Sequence, residues 1–76
     1  MTLADLKVGN RARIVELAGE DETVERLMEM GLTEGTEFSL VRFAPLGDPL
    51  EIKTRGYHLS LRKADAANIK VEPING

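Results

Sequence analysis

"APLGDPLEIKTRGYHLSLRK", residues 44–63, is the stretch on which the fold turns. Leu50, Ile52 and Thr54 alternate with Glu51, Lys53 and Arg55; beyond Gly56, Tyr57, Leu59 and Leu61 alternate with His58, Ser60 and Arg62. A period of two puts each trio on one face of a strand, and the Arg55-Gly56 corner between them is short enough for a tight turn. Two antiparallel strands sharing an apolar face are therefore expected. Ahead of them, Pro45-Leu46-Gly47-Asp48-Pro49 reads as a stiff loop, because each proline restricts the residue before it and Gly47 supplies the freedom the turn needs. Such a loop holds Leu46 in one position, as a plug for the core or as a docking feature. In so small a domain, which uses most of its apolar residues internally, the plug is the expected use.

Toward the N-terminus, "TEFSLVRFAP" (residues 36–45) carries Phe38, Leu40, Val41 and Phe43, with a slip of phase between Leu40 and Val41 that a bulge or strong bend would produce. In "GEDETVERLMEMGLTEG" (residues 19–35) the period changes. Val24, Leu27 and Met28 sit at i, i+3 and i+4, the spacing of one helix face, with Asp21 as the expected N-cap. Gly31 stops this helix; as the left-handed residue after its end it folds Leu32 back over Leu27. At about ten residues the helix is too short to stand alone in water and must pack on the strands. Met28 is placed on its core face and Met30 at the edge of the stripe.

From Arg11 to Ala18 a further strand is expected, with Ala12 and Ile14 on one face and Val15 and Leu17 on the other, as where a barrel's curvature changes the buried side. "KADAAN" (residues 63–68) reads as one helical turn before a last strand at Ile69–Val71, closed by Pro73. The fold class is mainly β: about five short strands, one short helix and a helical turn, wrapped as a small SH3-like, partly open barrel that protects its edges. The domain spans residues 1–76.

The 76 residues include no cysteine, which removes disulfides and thiolate metal sites and suits a reducing cytosol. No apolar run is long enough to span a membrane, so any action there requires a partner to hold the chain in place. Thirteen acidic residues against ten basic ones leave a net charge of −3, a field that repels phosphate backbones; Arg11 with Arg13 and Arg62 with Lys63 read as solvated charge, not as a nucleic-acid face. The Lys and Arg on the strands also discourage edge pairing between copies, without forbidding a homo-oligomer. Neither glycine-rich phosphate-binding pattern is present. One histidine, His58, and scattered hydroxyls give no nucleophile with a base to activate it. No catalytic residue, metal site or cofactor is assigned, although Glu51 could join His58 across the hairpin in the right register.

The segment "MGLTEGTEFSLVRFAPLGDPLEIKTRGYHLSLRKADAANIKV" (residues 30–71), with the spacing of Leu and Gly near the start, resembles the ferrous iron transport protein A (FeoA) family in its stand-alone, single-domain form. Gly31, Leu32 and Gly35 match the helix exit, residues 45–49 the loop, and Arg55, Gly56 and Tyr57 the hairpin corner. The resemblance implies an SH3-like barrel in the bacterial cytosol that binds or regulates FeoB, a membrane ferrous iron permease with a cytosolic GTPase domain. It implies a non-catalytic interaction module. The alternative is a metal-sensing or nucleic-acid-associated accessory domain related to the C-terminal domain of DtxR-type repressors. The expected docking rim is drawn from Met28, Met30, Leu32, Phe43 and Leu46.

Overall fold

The hairpin forms as its alternation requires. In the computed structural model, which describes residues 1–74, β3 (Leu50–Thr54) pairs with β4 (Tyr57–Leu61) in the register Thr54 to Tyr57, Ile52 to Leu59 and Leu50 to Leu61. Arg55 and Gly56 turn the chain with φ of 50° and 83°. Two left-handed residues in a two-residue loop match the twist of the flanking strands, which is why a glycine stands at the second position.

Around this hairpin lie a 3₁₀ turn at Leu3–Asp5, β1 (Arg11–Leu17), α1 (Asp21–Glu29), β2 (Glu37–Phe43), α2 (Lys63–Ala66) and β5 (Ile69–Pro73). The strands form one antiparallel sheet in the order β4-β3-β2-β1-β5. The sheet does not close into a cylinder: β4 and β5 are its two edges, and α2 carries the chain from one to the other. Both anticipated changes of phase are bulges. Val41 is the extra residue between the Leu40–Ile52 and Arg42–Glu51 pairs, and Val15 the extra residue between Ile14–Val71 and Glu16–Lys70. An unpaired residue bends its strand and raises the local twist, which lets five short strands wrap one core.

That core joins Leu3, Ala12, Ile14, Leu27, Leu32, Leu40, Leu50, Ile52, Leu61 and Ile69, all at most 2% exposed. Helix α1 begins one residue earlier than its sequence suggests. Glu20, extended at φ −73° and ψ 156°, is the N-cap, and its carbonyl accepts the Val24 N–H; Asp21 is the first helical residue, where its charge favours the helix dipole. The C-terminal end follows the expected motif. The Leu32 N–H donates to the Leu27 carbonyl at 3.0 Å and the Gly31 N–H to that of Met28 at 2.9 Å, with Gly31 at φ 89°.

The 3₁₀ turn is held by Asp5, whose carboxylate accepts the Thr2 N–H at 2.9 Å and the Thr2 hydroxyl at 3.3 Å. The backbone bond, with the hydroxyl's help, holds the Asp5 carboxyl below its ordinary value of 3.8. A depressed folded value means that the contribution is present above pH 3.8 and is lost as the pH falls through the folded value. The Asp5→Asn variant should therefore show a flatter acid limb in a plot of Tm against pH, with the two proteins converging below that value.

Candidate docking site

The loop between β2 and β3 is built from its own backbone. The Ala44 N–H donates to the Pro49 carbonyl at 2.8 Å, the Gly47 N–H to the Ala44 carbonyl at 2.7 Å, and Gly47 takes φ 88°. The Asp48–Pro49 bond is cis. From this frame the Asp48 carboxylate reaches the first residue of α2 and accepts the Lys63 N–H at 3.0 Å. Arg62, the residue before the helix, offers no side-chain cap of its own, so a residue fifteen positions away supplies it. Asp48→Ala should cost about 1 kcal/mol, seen as a fall in Tm of roughly 4–8 °C for a domain of this size.

The loop's leucine is not a plug. Leu46 is 97% exposed, because the bonded turn projects residue 46 away from the sheet while Leu50 and Phe43, paired across its base, close the core beneath. The other candidates separate into different environments. Leu32 is fully buried, so it belongs to the core and leaves the docking rim; the Schellman ending that folds it over Leu27 is the reason. Phe43 is half-buried against the core beside the loop. The two methionines exchange the roles their spacing suggests. Met30 packs half-buried on the core at the helix end, and its carbonyl accepts the Tyr57 hydroxyl at 3.4 Å, whereas Met28 is 51% exposed. Leu27 alone on α1 is fully buried, and Met28, one residue on, turns about 100° away from it.

Met28 instead lines an open groove of about 350 Å³ with Leu17, Val24, Thr33 and Glu34. Leu46 and Phe43 lie at the Leu50 end of β3, and Tyr57, with Met30 beneath it, at the Thr54 end. Four strand steps, roughly 13 Å, separate the two ends. The sequence-derived rim is thus two places: a projecting leucine on a braced loop, and an apolar groove along α1. The groove was missed because it joins the far end of β1 to the residues after α1, which no periodicity relates.

Polar chemistry is sparse elsewhere. His58 Nδ1 lies 2.9 Å from a Glu51 carboxylate oxygen, the pairing that the register allowed, and among the described residues no group of three or more metal-ligating side chains gathers around it. Arg11 and Arg13 lie 3.5 and 3.7 Å from Glu37, and Arg13 also pairs with Glu72, so this basic cluster is neutralised by its neighbours. Arg55 makes one long contact, 3.4 Å, to the Thr36 hydroxyl. No helix among the described residues is long and apolar enough to cross a membrane.

Residues 1–73 match the model of the FeoA domain. The chain belongs to the FeoA family. Over 75 residues, 99% of its length, it is 40% identical to a Porphyromonas gingivalis Fe(2+) transport protein A/Fe(2+) transporter FeoB fusion protein, of which it spans 9%. The solution structure of FeoA from Chlorobium tepidum superposes with a TM-score of 0.91 at 41% identity, covering 100% of this chain and 72% of that one. Stenotrophomonas maltophilia FeoA, crystallised with zinc and described as a prokaryotic SH3 domain protein, gives a TM-score of 0.80 at 28% identity, over 95% of this chain and 89% of that one. The open five-stranded sheet is accordingly an SH3-like fold, and the chain is an FeoA domain.

Proposed function

We propose that this FeoA domain is a non-catalytic module that docks on the cytosolic part of a FeoB-type ferrous iron permease and regulates it or its assembly. The observation that carries the reading is Leu46: a large apolar side chain, 97% exposed, on a loop tied down by two backbone hydrogen bonds and by the Asp48 bond to α2. Ordering cost for such a side chain is small because the backbone is already fixed, and a preformed apolar knob suits a partner's pocket. Met28 and its groove offer a second contact, while Phe43 and Met30 pack half-buried on the core.

The fusion relative favours FeoB as the partner, since joining two modules in one chain raises their effective concentration and is useful where they work together. The domain acts in the cytoplasm on this reading and reaches the membrane only through the permease. Titrating isotopically labelled protein with the permease's cytosolic part should shift the backbone signals of residues 44–49 first and those lining the Met28 groove second. Shifts confined to β1 and β5, or none at all, would refute the docking site. Adding GTP to the same mixture separates two mechanisms: a raised hydrolysis rate marks an activator, and an unchanged rate with intact binding marks a scaffold.

A further inference from the structure

Strands β4 and β5 are the two edges of the sheet, and they are not alike. The β5 edge is covered: Thr2 bridges Lys70, and the Val71 N–H donates to the Met1 carbonyl at 3.0 Å. Lys70, Glu72 and Pro73 stand on the strand itself. A covering segment, charges and a proline are the usual devices that stop an edge from recruiting another strand. β4, with the sequence Tyr-His-Leu-Ser-Leu, carries no lysine, arginine, acid or proline. The Lys and Arg that argue against edge pairing from the sequence thus lie on other strands.

The backbone of β4 has a defined polarity. In a two-residue hairpin the closing pair, Thr54 with Tyr57, is hydrogen-bonded, so Leu59 and Leu61 bond to β3 as well, while His58 and Ser60 turn their N–H and C=O outward. Both residues are exposed, and among the described residues no backbone hydrogen bond outside the β3 ladder reaches them.

This edge is complementary to itself. Antiparallel pairing of two copies about a two-fold axis at Leu59 sets His58 of each opposite Ser60 of the other and closes four backbone hydrogen bonds. On one face half-buried Leu59 meets its own equivalent, and Tyr57, 40% exposed, falls opposite the backbone of Leu61 of the second copy, whose side chain stays in its own core. On the other face the His58 imidazole, already beside Glu51, stands next to an uncharged serine. No like charges oppose one another within the five-residue ladder. We propose that β4 is a homodimer interface, joining two sheets into one continuous sheet. A second copy satisfies all four outward groups in a single symmetric register and requires no sequence beyond this strand. The surface covered by one short ladder lies below the roughly 1,200–2,000 Å² of a stable specific complex, so the dimer is weak and driven by concentration.

Sedimentation of the full chain from about 10 μM to about 1 mM, with amide hydrogen exchange at both limits, tests this. The average mass should climb from 8.4 kDa toward twice that value, and the amides of His58 and Ser60 should slow severalfold while those of β5 do not change. Ser60→Pro removes an outward N–H and spares the Tyr57, Leu59 and Leu61 bonds to β3, so it should fold and weaken association at least about tenfold. Leu59→Lys, which opposes two ammonium groups at the axis, is the second variant should the proline disturb folding, with the same expected loss. A chain still monomeric at the upper concentration overturns the proposal, as does a dimer whose His58 and Ser60 amides exchange at the dilute rate. Protection that appears only on adding a foreign extended peptide overturns it equally.

Discussion

Leu32→Ala is expected to destabilise the domain by about 2–5 kcal/mol. Leu32 is fully buried in the single core, and the backbone bond from its N–H to the Leu27 carbonyl fixes its position, so the space left by truncation cannot readily collapse. Against a total stability on the order of 5–10 kcal/mol, the loss would leave much of the population unfolded near physiological temperature. Chemical denaturation gives the measurement: a midpoint displaced to much lower denaturant with unchanged slope. Leu46→Ala is the internal control, since an exposed side chain should move stability by no more than about 0.5 kcal/mol. A stable Leu32→Ala protein that had lost only its partner would return Leu32 to the docking surface and contradict the core described above.

Leu46→Asp should do the reverse, leaving Tm nearly unchanged and weakening binding to the permease's cytosolic part by about 30-fold or more, as expected when a docking anchor worth roughly 2 kcal/mol is removed. Two effects add. The leucine's burial in the partner is forgone, and a carboxylate must be desolvated if the loop still enters the same pocket. Calorimetric titration of a variant shown to be folded by its amide spectrum decides the matter. Equal affinity for the natural chain and the variant would remove Leu46 from the interface and leave the Met28 groove as the remaining candidate. Pairing these substitutions separates the two neighbouring motifs of the family resemblance, one of which serves the fold and the other, on our reading, the partner.

Much of the architecture is legible in local patterns. The alternation from Leu50 to Leu61 with Arg55-Gly56 between calls for a hairpin, whose register the structure supplies, and the Leu27, Gly31 and Leu32 spacing calls for one helix ending, because both depend on backbone geometry within a few residues. The bulge at Val41 was visible for the same reason: a break in a period of two needs an extra residue somewhere. The candidate site was less legible. Met28 and Met30 stand roughly 200° apart about the axis of α1, and which of them meets the sheet depends on how the helix is seated.

From the chain's own order of residues came the mainly β class, the hairpin, the helix and its ending, and the absence of cysteine chemistry, all matters of short range. Tertiary packing alone determined that Leu46 points to water, that Leu32 does not, and that Asp48 caps a distant helix. The physical reason is the same throughout. A side chain's exposure and its partners depend on which other segments reach it, and those lie many residues away, beyond any periodicity.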